Sequence, residues 1–314
     1  MDQKEYQNIQ RVVKPHIHIT PIMSSAIINE TYGSKLLFKC ENFQKAGSFK
    51  IRGGIYAAHA KLLHKNSEVL AGHSSGNFAQ ALAKAAQVFG KKAVLVMPQN
   101  APEAKVEAVQ RYGAEIIRSG NSPADRETRM SEYLQAHPEV IFIHPSNDMD
   151  MIQGNASCAG EFLEVYQDLD HLIVPVGGGG LLAGTALAAR LLSPDTKVYG
   201  AEPEGADDAR RSFHTGEIVP SLHPETIADG LRTQLGDLNF PIIRKHVRDI
   251  LTVNDQEIVS AMKDIYRFLK IVIEPSSAVP LAVVRKYPEI FQGKNNGIIL
   301  SGGNIDLRTF GNIF

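Results

Sequence analysis

Residues 172–192 read LIVPVGGGGLLAGTALAARLL: a short aliphatic run, four consecutive glycines, and a longer run rich in leucine and alanine. A short aliphatic run is typical of a buried strand, and the leucine- and alanine-rich run favours a helix. Residues 172–189 carry no charge and approach membrane-spanning length, but Pro175 and the glycines interrupt them where a spanning helix must be continuous. The stretch therefore predicts a strand, a glycine loop and a helix.

Strand-like runs of this kind recur along nearly the whole chain and alternate with helical patterns. The predicted strands are 35–40, 68–73, 93–98, 114–118, 140–144, 172–176, 197–202, 249–253 and 297–300. The predicted helices include 77–89, 102–112 and one that Asn254 and Glu257 open as a capping box. This alternation predicts an α/β protein with open parallel sheets that helices cover on both faces.

Four of these strand–helix units lie between residues 68 and 147 and could close as a compact subdomain. We therefore predict a small domain at residues 69–147, inserted between the segments 1–68 and 148–314, which form the large domain together. Ligands of such folds bind beyond the carboxyl ends of strands, often between domains. The loops that follow the predicted strands are therefore where a site is expected.

Composition excludes several kinds of partner and site. The chain has 33 Lys and Arg against 34 Asp and Glu, a net charge of −1, which leaves no basic excess for a nucleic acid. Its two cysteines, Cys40 and Cys158, provide neither a disulfide framework nor a structural zinc site. The first residues are polar and contain no signal-peptide core. We expect a cytoplasmic protein that acts on a small molecule, with no nucleic-acid or membrane partner.

The glycine loop is a candidate anion site. Backbone N–H groups in such a turn, together with the dipole of the helix that follows, bind a phosphate without any basic side chain. The loop consists of Gly177, Gly178, Gly179 and Gly180. The same loop also fits a dinucleotide pattern, through Gly178, Gly180 and Ala183, with Glu202 placed to bind a ribose. The spacing alone leaves an NAD-dependent dehydrogenase open.

Lys50 is a candidate reactive amine, in the segment SFKIRGG (residues 48–54) that follows a predicted strand and opens a helix. A helix N-terminus and apolar neighbours both disfavour a charged amine and lower its pKa, as a Schiff-base lysine requires. The alternative is a surface lysine whose stem lies along a helix.

Three further loops follow strands and have both a structural and a functional interpretation. Ser74-Ser75-Gly76-Asn77 is a helix cap, and the same geometry could also cradle a carboxylate, so the two roles are compatible. Ser301-Gly302-Gly303-Asn304 is either a tight turn or a place where a flat ring approaches the backbone, with the Ser301 hydroxyl facing it. Glu202, Asp207 and Asp208 form either a solvated acidic loop or a site for a hard cation such as Mg²⁺.

Taken together, the motifs SFKIRGG, SSGN, VGGGGLLAG, AEP-x-x-ADD, ETIADGLRT, EPSSA and SGGN resemble those of the fold-type II pyridoxal-phosphate enzymes. Within that family the chain is most similar to the serine/threonine dehydratase and serine racemase group, over residues 20–307. The resemblance implies a tryptophan synthase β-like fold with two open parallel-sheet domains. It also implies pyridoxal 5'-phosphate as the cofactor and a homodimer.

The resemblance also implies roles for the cofactor-binding residues. Lys50 would hold the cofactor covalently and later take the substrate Cα proton, while Phe49 lies against the ring. Asn77 would bind the ring's phenolic oxygen and Ser301 would face the pyridine nitrogen. The glycine loop would bind the phosphate. Because a serine does not keep that nitrogen protonated as an aspartate does, the ring is a weaker electron sink, which favours prompt loss of a β-hydroxyl.

The implied reaction is β-elimination from L-serine, L-threonine or a related β-hydroxy amino acid, giving a 2-oxo acid and ammonia. The implied substrate-binding residues are Ser74, Ser75, Asn77, Phe78 and Ser146. Racemases and hydroxyaspartate dehydratases of the group share a serine at the position of Ser75, which on the cofactor face opposite Lys50 allows racemisation as the alternative. The resemblance further implies a divalent metal, such as Mg²⁺, at Glu202, Ala206 and Asp208.

Three departures from the family pattern concern the substrate. Phe78 stands where the family usually has histidine, and Ser146 where it has asparagine or tyrosine. The segment GNAS at residues 154–157 replaces the common GQGT. The departures at Phe78 and Ser146 lie near the family's substrate pocket and therefore bear on the identity of the substrate rather than on the cofactor. A non-catalytic amino-acid sensor on the same fold is a further alternative.

Overall fold

The computed structural model describes residues 1–74, 76–101 and 103–313. Within them the strands are β1 (Ile22–Met23), β2 (Lys35–Cys40), β3 (Val69–His73), β4 (Lys92–Pro98), β5 (Glu115–Ser119), β6 (Ile141–Phe142), β7 (His171–Pro175), β8 (Lys197–Pro203), β9 (Asp249–Val253) and β10 (Asn295–Leu300). The α-helices are α1 (Gln3–Val13), α2 (Ala26–Tyr32), α3 (Lys50–His64), α4 (Asn77–Val88), α5 (Glu103–Arg111), α6 (Pro123–Ala136), α7 (Met149–Val165), α8 (Gly180–Leu192), α9 (Asp208–Thr215), α10 (Phe240–His246), α11 (Asp255–Leu269), α12 (Pro275–Lys286), α13 (Pro288–Phe291) and α14 (Leu307–Ile313).

These strands form two sheets, so the α/β prediction with parallel sheets is confirmed. In the described residues, the larger sheet has six strands in the order β1-β2-β10-β7-β8-β9, and the smaller has four in the order β5-β4-β3-β6. Every pairing is parallel except that of β1, a short antiparallel edge strand that the sequence analysis missed. The strand predicted at 140–144 is shorter, because only Ile141 and Phe142 pair with β3.

The core of the larger sheet follows from the alternation of side chains along its strands. In β2, Leu36 and Phe38 point into a hydrophobic cluster with α11 and α12, while Leu37 points into a cluster with α7 and α8 on the other face. Both faces are thus covered by helices, which explains why the strands read as continuous apolar runs.

The smaller sheet shares its core with segments from the start of the chain. One hydrophobic cluster joins Leu70 and Leu95 of this sheet to Ile9 of α1 and to Ile51 and Ile55 of α3. The strands of the sheet fall between residues 69 and 142, but two helices that precede them pack in the same core. The predicted division at 1–68, 69–147 and 148–314 stays a prediction.

Helix α3 carries the candidate lysine and lies close against α7. A Cβ on Gly53 would be 2.8 Å from the Met151 carbonyl oxygen and 2.6 Å from Oδ1 of Asn155, so this approach requires glycine. The first turns of α3 therefore pack tightly against α7. Among the described residues, no helix is long and apolar enough to cross a membrane.

Candidate active site

A cavity of about 460 Å³ lies between the two sheets, where the carboxyl ends of their strands converge. Of the sequence-predicted residues it is lined by Phe49, Lys50, Ser74, Asn77, Phe78, Ser146, Gly177, Gly178, Gly179, Gly180 and Ser301. Ser75 lies outside the described residues. Glu202, near the end of β8, and Ala206 and Asp208, which follow that strand, are not part of this lining. The loops after β2, β3, β7 and β10 thus meet at one place, while the acidic loop forms a separate feature.

The Lys50 amine faces this cavity. Lys50 is the first residue of α3, and its Nζ donates a hydrogen bond to the Pro145 carbonyl at 2.8 Å. Burial lowers the pKa of Lys50 to about 8, although the Glu274 carboxylate acts in the opposite direction. A pKa this low leaves a useful fraction of the amine neutral near pH 7–8, where an ordinary lysine is almost fully protonated.

A buried cluster of four charges is centred on Arg52, two residues after Lys50 on α3, and the sequence analysis missed it. Arg52 binds Glu41 (Nε to Oε2, 2.7 Å) and Glu161 (Nη2 to Oε2, 2.8 Å), and Lys39 also binds Glu161 at 2.8 Å. The cluster ties the end of β2 to α3 and α7. Burial of ions is tolerated because two cations and two anions satisfy one another. The signal available in the sequence was a lone arginine in an otherwise apolar segment around Lys50.

The glycine loop is held rigidly by its neighbours. Gly179 has φ +79°, and a Cβ there would be 2.6 Å from Oδ1 of Asn239. Asn239 in turn donates from Nδ2 to the Gly178 carbonyl at 2.8 Å, and a Cβ on Gly178 would be 2.9 Å from Cβ of Ser146. The loop therefore presents backbone rather than side chains to the cavity, directly at the start of α8, as an anion cradle requires.

Replacing Gly179 with alanine tests this cradle. The positive φ and the overlap with Asn239 are expected to cost about 1–3 kcal/mol in the free energy of unfolding and to weaken cofactor binding at the same time. Chemical denaturation and equilibrium titration of the apoprotein with pyridoxal phosphate measure the two effects. Gly293→Ala, at another positive φ with open space around it, is the control for backbone strain alone. Equal cofactor affinity in both variants would contradict the cradle.

The residues at the start of α4 do not cap the helix in the way the sequence suggested. Gly76 occupies the N-cap position, and Ser74 accepts a hydrogen bond from the Gly76 N–H at 3.1 Å. Asn77 turns its side chain across the cavity and donates from Nδ2 to both carboxylate oxygens of Glu274, at 2.8 and 3.1 Å. Asn77 is therefore a residue of the cavity rather than a cap, and Glu274 is a site residue that the sequence analysis missed.

The opposite wall of the cavity is formed by Phe49 and Ser301. The Phe49 N–H donates to the Ser301 carbonyl at 3.0 Å, and the Ser301 hydroxyl lies 3.1 Å from that of Ser277. Lys50 Nζ lies 5.2 Å from the centre of the Phe49 ring. These contacts place an aromatic face, a hydroxyl and an amine side by side.

Two histidines that the sequence analysis did not single out also line the cavity. Burial lowers the pKa of His73 to about 4, with further lowering by His144 and Arg126. Burial also lowers the pKa of His144 to about 4, with further lowering by Lys50. His144 Nδ1 accepts hydrogen bonds from the N–H groups of Ser146 and Asn147, so this nitrogen is unprotonated. Both rings are neutral at pH 7 and shape the site without adding charge.

Arg126 of α6 is a cation in the cavity wall. Its buried Nε has no hydrogen-bond partner among the described residues, and burial lowers the pKa of the guanidinium. Phe78, in contrast, is 2% exposed and packs mainly in the core of the smaller sheet. Of the two, Arg126 has the polar capacity to bind a ligand, and the sequence analysis missed it.

The acidic loop after β8 is built around two buried carboxylates. Glu202 accepts hydrogen bonds from the Ala209 and Arg210 N–H groups, both at 2.8 Å, and so caps α9. Asp208 is 1% exposed, and neither of its oxygens has a described hydrogen-bond partner of normal geometry. Burial raises the pKa of Asp208 to about 6, and the Ser221 hydroxyl lowers it in part. Ala206 is buried beside them.

The family of the chain follows from comparison with known proteins. A family model described as pyridoxal-phosphate dependent enzyme matches residues 13–302. The chain belongs to this family of pyridoxal-phosphate dependent enzymes. It is 46% identical to the beta-hydroxyaspartate dehydratase of Paracoccus denitrificans, covering 94% of this chain and 93% of that protein. It is 44% identical to the L-threo-3-hydroxyaspartate ammonia-lyase of Saccharomyces cerevisiae, covering 95% and 91%. The structure of maize serine racemase superposes with a TM-score of 0.95 at 42% identity, covering 99% of this chain and 96% of that one.

These findings confirm the family and the fold-type II architecture that the motifs implied. The chain is an enzyme of the pyridoxal-phosphate ammonia-lyase and racemase group. The family match also favours the cofactor interpretation of the glycine loop over the dinucleotide one, as does the commitment of Glu202 to capping α9.

The residues of the cavity fit pyridoxal phosphate. One amine of lowered pKa, a glycine cradle that a Cβ would fill, an aromatic face and a buried hydroxyl converge there. The amine would form the covalent link, the cradle would hold the phosphate, and the remaining groups would contact the ring.

Proposed function

We propose that the enzyme catalyses the elimination of water from 3-hydroxyaspartate, a β-hydroxy amino acid with a second carboxylate. Loss of the Cα proton and of the β-hydroxyl as water leaves an enamine of the four-carbon diacid. Its imine tautomer then takes up water to give oxaloacetate and ammonia, so that atoms balance without an oxidant or reductant. L-Serine and L-threonine are the competing substrates of the same reaction.

The observation that carries the choice of substrate is Arg126. Its buried Nε lacks a hydrogen-bond partner in the part of the chain that the structure describes, and a carboxylate is the group that matches a guanidinium best. L-Serine and L-threonine have no second carboxylate to offer. Relatives with 46% and 44% identity are named for hydroxyaspartate, which supports the same choice.

The mechanism assigns the reacting groups to residues of the chain. When bound, pyridoxal phosphate withdraws electrons from the substrate Cα and makes its proton acidic. Lys50 would take that proton, since its lowered pKa allows the amine to act as a base near neutral pH. Ser74 would hold the α-carboxylate and Asn77 would contact the cofactor ring, while Arg126 would hold the β-carboxylate at the other end.

A substrate screen tests the proposal. The holoenzyme is incubated with the 3-hydroxyaspartate stereoisomers, L-serine and L-threonine, and the 2-oxo acid and ammonia are measured. We expect kcat/KM for one hydroxyaspartate isomer to exceed that for L-serine by a factor of about 100 or more, because only hydroxyaspartate offers a β-carboxylate that pairs with the Arg126 guanidinium. Equal or higher efficiency with L-serine or L-threonine would overturn the choice of substrate.

Racemisation is the second candidate, favoured by the similarity to the maize racemase. It requires a proton donor on the cofactor face opposite Lys50, and Ser75, the predicted donor, lies outside the described residues. Incubating L-serine and following D-serine alongside pyruvate separates the two activities. Ser75→Ala is expected to abolish the D-isomer while sparing elimination, and absence of any D-isomer from the wild type would exclude this function.

We also propose that a divalent cation binds beside β8. Among the described residues, no group of three or more His, Cys, Asp or Glu side chains is placed to hold a metal. An ion would therefore need backbone and water ligands, such as the Ala206 carbonyl, beside Glu202 and Asp208. The two buried, unpartnered oxygens of Asp208 fit this role, because a bare carboxylate is costly to bury.

The metal is tested by thermal stability. At Mg²⁺ concentrations about 100 times Kd, binding is expected to add about 2.7 kcal/mol to the free energy of unfolding of the wild type, and Asp208→Asn is expected to remove most of this gain. Asp207→Asn, at an exposed carboxylate paired with Arg211, is the matched control and should keep it. An unchanged Mg²⁺ effect in Asp208→Asn would place the ion elsewhere.

The homodimer and the cytoplasmic location stay predictions. Light scattering of the purified holoenzyme measures the first, and cell fractionation measures the second.

A further inference from the structure

Glu274 connects the two halves of the active site. It precedes α12, which packs on the larger sheet, and is 3% exposed. Its carboxylate reaches Asn77 on α4, which packs with the smaller sheet, at 2.8 and 3.1 Å. The contact therefore crosses the seam between the sheets at the wall of the cavity.

This contact determines which way the Asn77 amide points. An ionised carboxylate only accepts hydrogen bonds, so in that form of Glu274 the nitrogen of Asn77 must face it. The Asn77 oxygen accepts from Nδ2 of Asn304 at 2.9 Å, and Asn304 also donates to the Ala46 carbonyl at 2.9 Å. Because the Asn77 nitrogen carries two hydrogens, it can serve Glu274 with one and a ligand in the cavity with the other.

Several charged groups near Glu274 affect its pKa. Burial raises the pKa of Glu274 to about 7, as does the carboxylate of Asp229, while Lys105 and the hydrogen bond from Asn77 lower it. Lys105 pairs with Asp229 across the same seam, and Lys50 faces Glu274 through the cavity. Among the described residues, Glu274 thus forms no direct salt bridge, and its carboxyl accepts hydrogen bonds from the neutral Asn77 amide and from the Asn304 backbone.

We propose that Glu274 is a positioning residue that holds the Asn77 amide toward the cavity and thereby fixes how that amide meets the cofactor ring. The proposal depends on the proposed function only for the substrate of the activity assay. The cofactor spectrum tests it without any substrate.

A double-mutant cycle on Glu274 and Asn77 tests the proposal. The variants are Glu274→Gln, Asn77→Ala and the combination of the two. We expect Glu274→Gln to lower kcat about tenfold with KM changed less than about twofold, the loss that one charge-assisted hydrogen bond predicts. The absorption and fluorescence maxima of the bound cofactor should shift in the same variant. The double variant should be no slower than Asn77→Ala alone, because Glu274 acts through Asn77.

The outcomes that overturn the proposal are distinct from a failure to fold and from a wrong substrate. Glu289→Gln, at an exposed glutamate, is the control and should match the wild type in every measurement. Additive losses in the double variant, or an unshifted cofactor spectrum, would show that Glu274 does not act through Asn77. If Glu274→Gln melts early, Glu274→Asp enters the same cycle, since it keeps the charge but shortens the reach. A spectral shift in an enzyme that is inactive on hydroxyaspartate would support the positioning role and contradict only the proposed substrate.

Discussion

Replacing Lys50 with alanine is expected to lower kcat by at least about 10³–10⁴-fold, because the general base at Cα is lost together with the covalent attachment of the cofactor. The purified wild type should be yellow, and borohydride should fix the cofactor on the peptide that contains Lys50. Mass spectrometry of the reduced, digested protein measures that link. Lys35→Ala, at an exposed lysine at the start of β2, should keep both colour and activity.

The lowered pKa of Lys50 makes this prediction dependent on pH. Only the neutral amine attacks the cofactor, so the rate at which apoenzyme and pyridoxal phosphate combine should rise about tenfold per pH unit up to about pH 8 and then level off. An ordinary lysine would keep the rate rising to about pH 10.4. Stopped-flow absorbance measures the rate. A Lys50→Ala enzyme with wild-type colour and turnover would refute the assignment altogether.

Replacing Arg126 with alanine is expected to reduce kcat/KM for 3-hydroxyaspartate by about 10²–10³-fold, since a buried carboxylate would lose its charged partner. The same change should alter kcat/KM for L-serine by less than about threefold, because L-serine has no β-carboxylate to lose a contact. Arg126→Lys should recover only part of the loss, as an ammonium lacks the paired donors of a guanidinium.

The control for this series lies on the same helix. Arg129 is exposed and pairs with Glu132 three residues along α6, so Arg129→Ala should leave both substrates unaffected. Steady-state kinetics with the two substrates on all four enzymes complete the comparison. Equal losses for hydroxyaspartate and L-serine in Arg126→Ala would mean that Arg126 supports the fold of α6 rather than the substrate.

The predictions from sequence succeeded where the signal was local. A strand followed by glycines and a helix is visible in residues 172–192, and Lys50 opens its helix as the segment around it indicated. The capping box of Asn254 and Glu257 is present as predicted. These features depend on neighbouring residues, whose backbone preferences can be read in order.

The residues that the sequence analysis missed depend on distant contacts. Glu274 and Asn77 are 197 positions apart, and nothing near either residue indicates their hydrogen bond. Arg126 lies in an exposed-looking, charged helix, and only the fold turns it toward the cavity. The sequence predicts Asn77 both as a possible cap, which asparagine favours, and as a binding residue, but it does not reveal the carboxylate across the seam that determines its orientation.

The four buried charges around Arg52 restrict which substitutions this enzyme tolerates. Loss of any one partner leaves an ion in the interior without compensation, a cost of about 3–5 kcal/mol against a total stability of about 5–15 kcal/mol. A tolerated substitution at one of these positions therefore requires a compensating substitution at a second one during evolution. The four positions are Lys39, Glu41, Arg52 and Glu161. The residues that line the cavity do not belong to this cluster. Substitutions there can therefore change the substrate while the four buried charges stay the same.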